Sequence, residues 1–165
     1  MDGPIIPDKI LPFSSELVTV VLNSISCDGT NPGEIVSDLA SIAVLGLPFL
    51  QKIDSSFQKL IPDSHQRQLH RANQKPHLKI PGTCFSTVTI NRNFRTALHQ
   101  DAGDFKEGFG NLTVIEQGKY HGGYTVFPQY GVAINLRNND FCAMDVHQWH
   151  ANTPLYETEE DKQFN

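Results

Sequence analysis

His99 and Asp101 stand two apart in the run Phe94-Arg95-Thr96-Ala97-Leu98-His99-Gln100-Asp101, and His147 and His150 follow much later in the chain. The run alternates as a β-strand does, and strand residues two apart point to one face. His99 and Asp101 can therefore grip one metal ion side by side. A histidine from a neighbouring strand, His150 or His147, would supply a third ligand. Two imidazoles and a carboxylate on one face of an ion leave the other positions open, which is the donor set of non-haem Fe(II) sites that take up O₂. A His-x-Asp triplet alone is a weak pattern, and it gains weight only from the elements that would position it.

Those elements change character near residue 80. Met1–Pro12 is proline-rich and reads as an extended arm. Ser14 or Ser15 could cap a helix over Glu16–Ser26, although the β-branched run Val18-Thr19-Val20-Val21 competes for a strand. Apolar residues at helical spacing predict helices over Glu34–Leu45 and Phe49–Leu60, and a polar helix runs from Asp63 to about Asn73. In that helix His65, Arg67, His70 and Arg71 form either a basic face for phosphate or, as the simpler reading, a solvated face. From Ile80 the period becomes two. Short strands are expected over Phe85–Asn91, Phe94–Asp101, Asn111–Glu116, Tyr124–Phe127, Val132–Leu136 and Phe141–His147, punctuated by Gly122-Gly123 and Asn138-Asn139-Asp140. Helices followed by many short strands indicate α+β. A double-stranded β-helix of the jelly-roll, cupin-like kind, with the N-terminal helices packed outside, would place a strand-borne His-x-Asp opposite a later histidine. Residues 1–80 read as an arm and helical support region and 81–165 as the β-helix core, together one domain.

The chain has 165 residues and a net charge of −5, with 13 Lys and Arg against 18 Asp and Glu. This balance argues against a broad electrostatic hold on nucleic acid but not against a local one. The three cysteines, Cys27, Cys84 and Cys142, show no disulfide framework or CxxC motif and read as buried small hydrophobes in a reducing compartment. No secretion signal or apolar run long enough to span a membrane is seen. The expected setting is intracellular, cytoplasmic or nuclear.

The stretch from about Pro81 to Leu155 resembles the Fe(II)/2-oxoglutarate dioxygenases, and among them the TET/J-binding-protein branch. The resemblance rests on Thr87–Asn91, Phe94–Asp104, Gly108–Leu112, Gly122-Gly123 and Asp145–Pro154. It implies Fe(II) as cofactor, 2-oxoglutarate and O₂ as cosubstrates, and DNA as partner, with hydroxylation of the C5-methyl group of thymine or 5-methylcytosine. By resemblance His99, Asp101 and His150 are the iron ligands. His150 is preferred to His147 because His150-Ala151-Asn152-Thr153-Pro154 aligns with the family's His-Gly-Asn-Thr-Pro, Ala151 replacing glycine. Gly103 and Asp104 become candidates for contact with the target base, which must be flipped out of a duplex. Phe105, Phe109, Tyr120 and Tyr124 are candidates to stack on that base or to belong to the core.

One departure stands out. The family holds the distal carboxylate of 2-oxoglutarate with an arginine shortly after the second histidine, and after His150 the only basic residue is Lys162. The tail Glu157–Asp161 reads as a polar loop, as though the last strand were missing from this chain. Arg95 is the candidate replacement, because 95, 97, 99 and 101 would share one strand face, and an arginine fork suits a carboxylate. Arg137 is expected to face solvent beside its turn. The alternatives on the same barrel are a hydroxylase of a protein side chain or small molecule, an inactive oxygenase-derived structural or interaction domain, and a metal-binding module without 2-oxoglutarate.

Overall fold

The computed structural model describes residues 16–23 and 46–164. The arm and the helix expected over Glu34–Leu45 lie outside these residues, as does Cys27. Where a helix competed with a strand, the strand forms: β1 spans Glu16–Asn23. It is one of two inner strands of an antiparallel sheet, flanked by β2 (Thr87–Arg92) and β3 (Gly110–Gln117), with β7 (Phe141–Met144) on the far side of β3. Val20 lies opposite Ile90 on one side and Thr113 on the other. A β-branched run suits such a doubly paired strand, and that setting overrides the helix-capping signal at Ser14 and Ser15. The N-terminal part thus supplies a sheet strand as well as helices.

Among the described residues two helices lie between β1 and β2. α1 spans Leu47–Leu60 and α2 spans Pro62–Asn73. Pro48 and Pro62 occupy their first turns, where a missing N–H costs nothing. α1 buries Leu50, Ile53 and Phe57, and these pack with Ile80, Cys84 and Phe85 as one core. Phe57 and Phe85 stack with centroids 6.4 Å apart. Each such buried side chain contributes about 1.5–3 kcal/mol.

β7 shows how the sheet divides the interior. Its side chains alternate, so Phe141 and Ala143 pack on the helical core while Cys142 packs on a second core of Leu112, Val114, Tyr120 and Leu136. Below that second core lie two small antiparallel sheets. One joins β6 (Val132–Ile134), β5 (Thr125–Phe127) and β8 (Ala151–Asn152), and the other pairs β4 (His121–Gly122) with β9 (Leu155–Tyr156). The architecture is α+β with antiparallel sheets.

Gly122 is required where it stands. Its φ is +79°, and a Cβ there would lie 1.9 Å from the Pro154 carbonyl oxygen. The close approach holds the segment after His150 against β4. The acidic tail, expected as a loop, forms a short helix, α3 (Glu159–Phe164), with Lys162 paired to Glu159 at 2.7 Å.

Candidate metal centre

The expected strand Phe94–Asp101 does not form as a regular element. Its backbone instead pairs intermittently with residues 146–152. His99 and His150 exchange both N–H···O bonds at 3.0 Å, Asp101 N–H donates to the Val146 carbonyl at 3.0 Å, and Asn152 N–H donates to the Thr96 carbonyl at 3.3 Å. The turn at Val146–Gln148 interrupts the partner segment, so a continuous ladder is impossible. Face-to-face pairing survives at His99 and His150, where their side chains must meet.

They do meet. Donor atoms of His99, Asp101 and His150 all lie within 4.8 Å of one another. His99 Nε2 is 3.3 Å from Asp101 Oδ1, and the two imidazole centroids are 4.3 Å apart. Each imidazole is oriented by its own strand: His99 Nδ1 donates to the Ala97 carbonyl at 2.7 Å, and His150 Nδ1 donates to the Gln148 carbonyl at 2.8 Å. A proton held on Nδ1 leaves Nε2 with its lone pair free, the tautomer a metal ligand needs. The cluster is sealed on one side and open on the other. His150 is 7 % exposed, against Phe127 at 6.3 Å between ring centroids, while the side chains of His99 and Asp101 are 38 % and 29 % exposed. This donor set fits a divalent metal with positions left for other ligands.

His147 is not part of this constellation. Its backbone N–H and its Nδ1 both bond Asp145 Oδ1, at 3.0 and 3.1 Å. Burial pushes the Asp145 carboxyl up, but hydrogen bonds from Gln148 and His147, with the His147 charge, outweigh it and hold the group below its ordinary range. Asp104 behaves in the opposite way. Burial, with the Asp101 charge beside it, pushes it up to about 7, and His147 offsets this in part. Gly103 is exposed and a Cβ there would meet nothing within 4 Å.

Arg95 does not point inward as the alternating strand required. It is exposed, because the segment carrying it is not a regular strand. Arg137 is less exposed than expected, with its guanidinium 4.7 Å above the Tyr120 ring and 4.0 Å from Glu116. Among the aromatic candidates, Tyr120 is buried in the second core and Phe109 packs on the first, whereas Tyr124 is exposed.

A second cluster escaped sequence reasoning. Asp54, His65 and Cys84 are buried with their donor atoms within 4.8 Å. His65, expected on a solvated helix face, donates from Nε2 to Asp54 Oδ2 at 3.1 Å, and Cys84 N–H donates to Asp54 Oδ1 at 2.7 Å. The signal was present: Asp54 interrupts the apolar stripe Leu50, Ile53, Phe57 of α1. The neighbouring Arg67 and His70 are exposed, and Arg71 lies over the Phe105 ring at 5.9 Å.

Comparison with known proteins agrees with the geometry. Residues 40–165 match Tet_JBP, the oxygenase domain of the 2OGFeDO superfamily. The bifunctional helicase and thymine dioxygenase JBP2 of Leishmania infantum is 37 % identical over 112 residues, which are 68 % of this chain and 10 % of that protein. The thymine dioxygenase JBP1 of Trypanosoma brucei brucei is 35 % identical over 118 residues, 72 % of this chain and 14 % of that protein. The chain thus spans a small part of the length of these relatives. No solved structure matches. With the His-x-Asp and distal histidine brought together within this matched region, the chain belongs to the Tet_JBP family of 2OGFeDO oxygenase domains.

Proposed function

We propose that this domain is an Fe(II)/2-oxoglutarate-dependent dioxygenase that hydroxylates the C5-methyl group of a pyrimidine, thymine or 5-methylcytosine, in DNA. The observation that carries the reading is the convergence of His99, Asp101 and His150, with both imidazoles presenting Nε2. In this reading the three are the iron ligands, the antiparallel sheets belong to a double-stranded β-helix, and the helices and sheets form one domain. The relatives named as thymine dioxygenases support the substrate class. An enzyme acting on DNA would work inside the cell, in nucleus or cytoplasm.

When bound, iron supplies the oxidising chemistry, with 2-oxoglutarate and O₂ consumed and succinate and CO₂ released. The protein's part is positioning. Asp101 adds negative charge to the ligand set, and the backbone carbonyls of Ala97 and Gln148 hold the imidazoles in place. Phe127 and the burial of His150 keep water from the inner side. Gly103 and Asp104 follow the His-x-Asp directly and are proposed to meet the target base. The Asp104 carboxyl offers a hydrogen-bonding group to that base, an acceptor when ionised and a donor when protonated. Arg95, exposed in the segment that leads to His99, stays the proposed partner for the distal carboxylate of 2-oxoglutarate.

The test is succinate formation from 2-oxoglutarate in the presence of a methylated or thymine-containing oligonucleotide, with the oxidised base identified by mass spectrometry. Oligonucleotide-dependent succinate with a hydroxymethyl product is expected. Oxidation of a protein or small-molecule substrate instead, with DNA untouched, would replace DNA by the alternative for which the net charge of −5 leaves room.

A further inference from the structure

Two large aromatic side chains stand out from the surface on the elements that hold His150. Trp149 directly precedes His150 and is 48 % exposed, and Tyr130 is 62 % exposed. Tyr130 ends the 3-10 turn Pro128–Tyr130, which follows Phe127, the ring packed against His150. Exposed aromatic surface is unfavourable in water, so two such rings beside one candidate site ask for an occupant.

The rings are exposed but their supports are fixed. With its amide oxygen and nitrogen assigned so that both partners are satisfied, Gln129 donates to the Trp149 carbonyl at 2.8 Å and accepts from the Trp149 N–H at 3.1 Å. Tyr130 Oη donates to Gln148 Oε1 at 2.7 Å, and Gln148 in turn donates to Asp145. Gln100, between the two ligands His99 and Asp101, donates from Nε2 to the His147 carbonyl. Three glutamines thus latch the 3-10 turn, the His-x-Asp segment and the 147–149 turn together. Gln100 and Gln129 hold backbone groups and Gln148 holds the Tyr130 hydroxyl, and the aromatic faces are left over.

We infer that Trp149, assisted by Tyr130, is a stacking platform for nucleic-acid bases next to the nucleotide presented to the metal centre. This rests on the DNA reading above and adds a surface to it. A base taken from a duplex loses its stacking partners, as do its neighbours, and a fixed aromatic face beside the site replaces part of that loss. Flat uncharged rings suit bases of any sequence, because every base has a π-face. With a net charge of −5, the chain gains little from phosphate attraction at long range, so stacking carries more of the hold.

Trp149 is the only tryptophan in the sequence, so the emission of the unmodified chain reports on this position. The experiment titrates the protein with a thymine-containing 12-nucleotide strand and its duplex. It follows tryptophan emission, and in parallel the anisotropy of a labelled copy of the DNA. Emission should be quenched along the same saturation curve as the anisotropy. Trp149→Ala should weaken DNA binding about ten-fold or more, Trp149→Phe should recover most of the loss, and Tyr130→Ala should weaken it less. If DNA binds by anisotropy but emission stays constant and Trp149→Ala binds equally well, the platform is wrong while the DNA reading stands. If DNA neither binds nor supports succinate formation, both fail. If emission instead changes with protein concentration alone, the rings face a second copy of the chain, and the inference is overturned.

Discussion

Among the described residues two clusters are built from similar kinds of side chain, and they differ in what is done with the lone pairs. In the Asp54–His65–Cys84 cluster, both carboxylate oxygens accept internal hydrogen bonds and all three residues are buried. It ties α1, α2 and the segment before β2 into one body. In the His99–Asp101–His150 cluster, backbone carbonyls take the Nδ1 protons, the Nε2 atoms converge, and one side is open. Residue types alone do not make a metal centre. The hydrogen bonds that consume or spare the donor atoms decide between a lock and a site.

The largest effect expected from this contrast is on metal binding. Asp101→Ala should lower Fe(II) affinity at least 100-fold, since removing a ligand leaves two imidazoles and no charge to balance the ion. His150→Ala should do nearly as much, and His147→Ala far less, measured by anaerobic equilibrium dialysis. Equal losses for both histidines would put His147 back among the ligands. Stability should show the reverse order. Asp54→Ala leaves a buried Cys84 N–H and a buried imidazole without their partner, and should cost about 3 kcal/mol in urea denaturation. Asp101→Ala, partly in solvent, should cost under about 1 kcal/mol in the metal-free protein. If Asp54→Ala is as stable as the parent, the lock does not hold the helices.

The next effect is on pH dependence. Asp104 titrates near 7 in the fold against an ordinary value of 3.8. Its stabilising share is therefore complete below about pH 4 and is lost as pH rises through 7. Metal-free protein should lose stability over that interval, and Asp104→Asn should flatten the slope, each tenfold change in proton affinity being worth about 1.4 kcal/mol. A parent and variant with parallel profiles would show that Asp104 is not held up in solution. The smallest effect is chemical. Burial, with the Asp54 charge and hydrogen bond, pushes the Cys84 thiol far up, so it should resist alkylation at pH 8 in the folded protein and react after unfolding, read by peptide mass mapping. Rapid labelling of native Cys84 would mean that the lock opens.

How much of this was legible in the sequence follows from where the information lies. The α+β class, α1, α2 and most strands were readable, because apolar periodicity and proline or glycine punctuation are local. β1 was ambiguous because its own residues serve either structure, and only pairing on both sides with β2 and β3 decides. The segment Phe94–Asp101 alternates but forms no regular strand, since its partner is broken by a turn. That break also removed the face on which Arg95 was to point inward. Of the site, His99 and Asp101 were visible as a pair, and the preference for His150 over His147 came from the motif that follows it. Asp145, which engages His147, lies two residues away and carried no separate signal. Asp54 and Trp149 were overlooked for opposite reasons: one is a charge on a buried stripe, the other a large apolar ring left in solvent.

The most direct measurement is an anaerobic titration of the parent chain and Asp101→Ala with Fe(II) and then 2-oxoglutarate, following bound iron and the visible charge-transfer band of the chelate. The account predicts one equivalent of iron and a saturating band in the parent, with both lost in Asp101→Ala. Iron retained at one equivalent after that substitution would contradict it.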